Sequence, residues 1–138
     1  MKGSLLIFVL SVFVFNVNAQ MVVEESDIIG SWEWKEIERK GTVVLAEEVF
    51  NGKVTTLFME DGTYIESKAD ENGSGQLQDT GKWKLEQKET EWFLNLSPND
   101  TLWRPATIRT YEIGRMRLEF HGPNGRAYVV MVKMKEED

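Results

Sequence analysis

Apolar residues along this chain recur at every second position, the period of a half-buried β-strand rather than of a helix. Lys82-Trp83-Lys84-Leu85-Glu86, Glu91-Trp92-Phe93-Leu94-Asn95-Leu96 and Arg115-Met116-Arg117-Leu118-Glu119-Phe120-His121 alternate in this way. Turn-forming residues punctuate the runs at short intervals. Asn51-Gly52 and Asp61-Gly62 have the composition of tight hairpin turns, and Asn72-Gly73-Ser74-Gly75, Pro98-Asn99, Gly114 and Gly122-Pro123-Asn124-Gly125 supply other breaks. The pattern predicts strands over Ser31–Arg39, Thr42–Phe50, Lys53–Glu60, Thr63–Ala69, Leu77–Gln87, Glu91–Ser97, Ala106–Ile113, Arg115–His121 and Arg126–Lys135. Only Val22–Ile29 lacks strand character; Ser26-Asp27-Ile28-Ile29 reads as a capped helical turn ended by Gly30.

Strands joined in order by short loops, with no helix long enough for a crossover, form an antiparallel up-and-down meander. A meander of eight or nine strands removes its exposed edges by closing into a barrel. One parity of the pattern gathers Trp32, Trp34, Phe58, Ile65, Trp83, Leu85, Trp92, Leu94, Leu96, Met116, Leu118 and Phe120 as the interior. The other gathers Glu33, Lys35, Glu66, Lys68, Lys82, Lys84, Glu86, Glu91, Arg115, Arg117 and Glu119 as the exterior. A polar outside is the reverse of a transmembrane barrel, so no membrane insertion is expected.

Composition narrows the function. The 138 residues include 16 basic and 23 acidic side chains, a net charge of −7 that disfavours nucleic acid. There is no cysteine, which excludes disulfides, thiolate metal sites and a thiol nucleophile. At the N-terminus Lys2 precedes an apolar run from Leu5 to Phe15, and Val17-Asn18-Ala19 has the small residues of a cleavage site. The run is too short to span a bilayer, so residues 1–19 are expected to be a signal peptide and 20–138 the β-barrel domain. Cleavage after Ala19 leaves 119 residues and a charge of −8, Lys2 being the one ionisable side chain removed. Without a cysteine after the run there is no lipid anchor, and the expected location is secreted or periplasmic.

Gly30-Ser31-Trp32 opens the first strand directly after the helical turn. With Phe58, Asp61-Gly62-Thr63-Tyr64, Gly81-Lys82-Trp83-Lys84-Leu85, Leu94-Asn95-Leu96 and Met116-Arg117-Leu118, the chain resembles the lipocalins, and more closely the short lipocalin-like proteins exported by bacteria. The resemblance implies that Trp32, after Gly30, plugs the narrow end of an eight-stranded barrel whose open end admits a small apolar molecule. It also implies an arginine packed on that indole, for which Arg109 and Arg126 are the candidates.

On this basis the chain is expected to bind a small hydrophobic or amphipathic ligand without catalysis and without a metal or cofactor, as a monomer. Trp34, Phe58, Trp83, Trp92, Leu94, Met116 and Phe120 are the candidate ligand-contacting interior. The same residues, and the five tryptophans above all, fit a filled barrel that acts through its surface as a protein-interaction or inhibitor module. Trp103, in the Pro98–Pro105 loop with Leu102 and Arg104, is either a lid, a protein contact or a loop folded back on the barrel. Asp70-Glu71-Asn72-Gly73-Ser74-Gly75 begins like a calcium loop, but Gly81 stands where the closing glutamate belongs, so a polar hairpin loop is expected. His121, the single histidine, shares parity with Arg117 and Glu119 and is expected in solvent.

Overall fold

The computed structural model describes residues 21–69, 76–99 and 101–135; the expected signal peptide and the calcium-like segment lie outside them. Among these residues two short helices accompany nine strands. They are α1 (Glu25–Ile28), β1 (Gly30–Arg39), β2 (Thr42–Leu45), α2 (Ala46–Phe50), β3 (Val54–Phe58), β4 (Thr63–Ala69), β5 (Gln76–Lys88), β6 (Glu91–Pro98), β7 (Arg104–Glu112), β8 (Arg115–Gly122) and β9 (Gly125–Lys133). Neighbouring strands pair antiparallel in meander order from β3 to β9, and β1 closes the ring by pairing with both β3 and β9. The fold is a closed eight-stranded barrel with β2 as one extra strand.

The predicted strand over Thr42–Phe50 divides into β2 and α2. Its first four residues pair with Glu36–Arg39 of β1, and the chain then turns helical until Asn51, which ends α2 in the left-handed region at φ 55°. β3 takes over beside the first half of β1, at Gly30–Glu33. The β2–α2 excursion therefore sits at one end of the barrel, on the seam where β1 exchanges one partner for another.

That end is the upper one; the lower is closed by α1. The backbone N–H of Glu24 donates to Asp27 Oδ2 at 2.8 Å, holding the single helical turn. Its Ile28 is fully buried, and the Ile28 carbonyl accepts the Trp32 indole N–H at 2.7 Å. Trp32, with 0% of its surface exposed, is the floor of the barrel. Gly30 enters β1 at φ +130°, and a Cβ there would stand 2.8 Å from Lys133 Cε. The Lys133 stem passes over that gap and sets its ammonium 5.8 Å from the Trp32 ring centre and 3.2 Å from the Asp27 carbonyl. The cation on the indole is thus Lys133; Arg109 and Arg126 lie instead on the outer wall beside Glu119.

Two bulges reset the inward parity. In β1 the register against β9 slips between Trp34 and Glu36, so Trp32 and Trp34 point inward and then Ile37 does. In β7 it slips between Ile108 and Thr110, leaving Arg109 as the extra residue and returning Tyr111 to face Met116. A third departure is in β4. Phe58 pairs with Tyr64 and Thr56 with Glu66, which turns Tyr64 and Glu66 inward and Ile65 outward, opposite to the expected assignment. Tyr64 is buried, and its ring occupies the space over Gly81 directly across the β4–β5 ladder. A Cβ on Gly81 would stand 2.6 Å from that ring and from the Ser97 carbonyl. The larger, flatter side chain fills the interior over a strand position that has none of its own.

Candidate functional site

The interior divides by height. In the lower half Trp32, Trp83, Leu94, Met116 and Ile108 belong to the buried core, and Met131 lies between it and the space above. The Trp83 indole N–H donates to the Met59 carbonyl at 2.9 Å, and that of Trp92 to the Met21 carbonyl at 3.0 Å. Phe58 meets Trp83 edge-on, with ring centres 5.6 Å apart. Of the sequence-predicted contact residues, Trp83, Trp92, Leu94 and Met116 belong to this packed part. They support the site from beneath and line no part of the cavity above.

That cavity, of about 190 Å³, occupies the upper half. Trp34, Phe58 and Phe120, the other three predicted residues, are in its wall with Tyr64, Leu96 and Leu118. The Trp34 indole N–H donates to Thr56 Oγ1 at 2.9 Å, which satisfies the one polar atom of the ring and fixes its plane. On the other side the Phe50 ring of α2 meets Trp34 edge-on at 6.0 Å. Ala46 of the same helix is fully buried, so α2 is packed on the barrel behind Trp34.

Polar groups also face this space. Thr56, Glu66 and Asp79 stand in one row across β3, β4 and β5, each directly opposite the next in the ladder, and side chains so paired share a face. Thr56 and Glu66 line the cavity, with Arg104 of β7 at the rim; Asp79 is exposed at the upper end of β5. Burial pushes the Glu66 carboxyl above its ordinary range; the Lys68 charge opposes this and the Asp79 charge adds to it. The Tyr64 phenol is pushed up by burial, then by Glu66 and Asp79, against the pull of Arg104. The alternating pattern gave no sign of this group, because the Ile65 side chain is the more apolar of the pair and draws the parity to itself.

A second polar cluster lies on the outer wall. Glu119, at 0% exposure, is covered by side chains from the adjacent strands. Arg109 Nε donates to its Oε2, while His121 Nε2 and Arg126 Nε stand 3.4 and 3.5 Å from Oε1. Oε1 itself accepts no hydrogen bond. Arg109 also reaches Glu91, at 3.5 Å. The Arg109 hydrogen bond holds the Glu119 carboxyl below its ordinary range against the opposing effect of burial. Glu119 was expected in solvent; it has the expected outward parity, but the β7 bulge swings Arg109 across it. His121 remains more than half exposed.

The Pro98–Pro105 loop is folded back on the wall. The Asn99 N–H donates to the Thr80 carbonyl at 2.9 Å, and the Ser97 hydroxyl to the Thr101 carbonyl at 2.7 Å. Trp103 lies against Lys84 of the outer face, whose ammonium is 4.3 Å from the ring centre, and lines no part of the cavity. Among the described residues no group of three or more His, Asp or Glu side chains is placed to hold a metal ion. No family model matches the chain, and it matches no curated protein and no solved structure.

Proposed function

We propose that this chain is an exported, lipocalin-like binding protein that takes a small hydrophobic or amphipathic molecule into the upper half of its barrel, without chemistry on the ligand. One observation carries the reading: an apolar cavity of about 190 Å³ walled by Trp34, Phe58, Leu96, Leu118 and Phe120, with polar groups confined to one side and the rim. Ligand sites are of this kind, mostly apolar with a few placed polar groups. Its volume is only slightly above the ~150 Å³ of an engineered cavity that holds benzene. The ligand is therefore a ring-sized body or a short chain; a retinoid, a haem or a long fatty acid exceeds the space. The lipocalin-like opening at Gly30 and Trp32 agrees with the same reading, since the floor it builds leaves the upper end as the entrance.

Trp34 provides the assay. Titration with ring-sized apolar compounds is expected to give a saturable change in tryptophan emission, and Phe120→Trp, which fills the cavity, is expected to weaken it by at least about tenfold. A chain that keeps its thermal transition but responds to no ring-sized or short-chain compound overturns the proposal. Export is tested separately: the protein recovered from outside the bacterial cytoplasm is expected to begin at Gln20.

A further inference from the structure

The wall of the cavity is asymmetric in charge. Glu66 faces into a mostly apolar space whose other polar lining is Thr56, the Tyr64 phenol and, at the rim, Arg104, and its neighbour in the ladder, Asp79, presents a second carboxylate on the same face. Like charges directly opposite in a sheet are unfavourable. The cations near them do not close the account. Lys68 is one inward position further towards the open end of β4, and Arg104 is exposed at the rim on β7. Of the two charged side chains that line the cavity, the acid Glu66 is partly buried and the base Arg104 is exposed.

The hydrogen-bonding inventory points the same way. Thr56 Oγ1 already accepts the Trp34 indole N–H. Glu66 and Asp79 as carboxylates only accept, and the phenol oxygen of Tyr64 is within electrostatic reach of both. The two carboxylates are the acceptor-only groups beside an aromatic box, and the Thr56 and Tyr64 hydroxyls can accept as well as donate. Together they suit a head group that donates several hydrogen bonds and carries positive charge, because an ammonium has three donors and no acceptor. A carboxylate on the same ring-sized body would be brought against two like charges in a partly desolvated site, where such repulsion is weakly screened.

We propose that the preferred ligand is a small amine on a ring-sized apolar body, its ring against Trp34, Phe58 and Phe120 and its ammonium on the Glu66 carboxylate. The inference rests on the upper-barrel binding proposed above and adds the chemistry of the head group. Three probes with the same ring and chain separate the two: 2-phenylethylamine, 2-phenylethanol and phenylacetate, titrated calorimetrically near neutral pH into the native chain, Glu66→Gln and Asp79→Asn. The amine is expected to bind roughly tenfold or more tightly than the alcohol, and phenylacetate more weakly than either. In Glu66→Gln the amine is expected to lose its advantage and fall to the level of the alcohol, while an unchanged far-ultraviolet spectrum and a cooperative thermal transition report an intact barrel. Asp79→Asn, at the exposed rim, is expected to cost the amine a few-fold. Equal binding of amine and alcohol to the native chain overturns the amine preference and leaves the cavity reading in place. Tightest binding of phenylacetate overturns it in favour of recognition by Arg104 and Lys68. Failure of all three probes overturns the cavity reading together with this one.

Discussion

Glu119 shows how far one residue can depart from its place in a pattern. Its outward parity is evident in the alternation of β8, yet the carboxylate is fully covered, with Arg109 donating to one oxygen and the other left without a hydrogen bond. A buried carboxylate deprived of its donor is costly. Arg109→Ala is therefore expected to destabilise the chain by about 2 kcal/mol in denaturant melts, moderated by Arg126 and His121 beside the other oxygen. The pH dependence follows from the direction of the shift. With the folded carboxyl held below its ordinary range, the stabilisation is present above that range and is lost as the pH falls through the folded value. Arg109→Ala is expected to flatten that acid limb. Glu66 behaves oppositely. Its folded carboxyl is raised by burial, so its contribution is present at low pH and lost as the pH rises through the folded value. Glu66→Gln is expected to raise the melting temperature near neutral pH, and a fall there would contradict the burial of this carboxyl.

Among the elements, β1 does the most to shape the site, and it does so through its bulge. The extra residue between Trp34 and Glu36 lets one strand present Trp32 to the floor, Trp34 to the cavity and Ile37 to the wall above. Without the bulge, simple alternation would send Glu36 and Glu38 inward. Deletion of Lys35 removes the extra residue and leaves Trp32, Trp34 and Ile37 on one parity with Glu36 and Glu38 on the other, so it is expected to preserve the cooperative thermal transition. Loss of the transition would show that the bulge itself, and not only the parity it sets, is needed for the barrel to close. The same switch frees the seam beside the upper half of β1 for β2 and α2. The segment Thr42–Phe50, apolar except for Thr42 and the pair Glu47-Glu48, concealed the switch from strand to helix, because its pattern does not separate four residues of edge strand from five of helix.

At the scale of the molecule, the choice between an open and a filled barrel resolves into both, at different heights. Below, Trp83, Trp92, Leu94 and Met116 pack beneath the cavity. Above, Trp34, Phe58 and Phe120 surround space. The two halves are expected to respond differently to truncation. Leu94→Ala leaves a hole in a fully buried layer and is expected to cost about 3 kcal/mol. Phe120→Ala removes a partly exposed side chain from the edge of an existing cavity. It is expected to cost clearly less, while enlarging the space enough to admit bulkier rings. Equal costs in denaturant titrations would mean that the upper half is packed as tightly as the lower.

The sequence by itself determined the class of the fold. Period-two alternation, hairpin turns and the absence of a crossover helix leave an antiparallel meander, and the Gly30-Ser31-Trp32 opening marks its floor. These features are legible because each depends on neighbours within a few residues. The tertiary structure decided what depends on partners from other strands. Tyr64 rather than Ile65 turns inward because Gly81 across the ladder leaves room for its ring, and this carries Glu66 into the cavity. Arg109 covers Glu119 because a bulge in a neighbouring strand redirects it, and Lys133 reaches Trp32 because closing the barrel joins the last strand to the first. Parity within a strand is a local property. Which parity faces the core is set by register, and register is fixed only when the sheet closes.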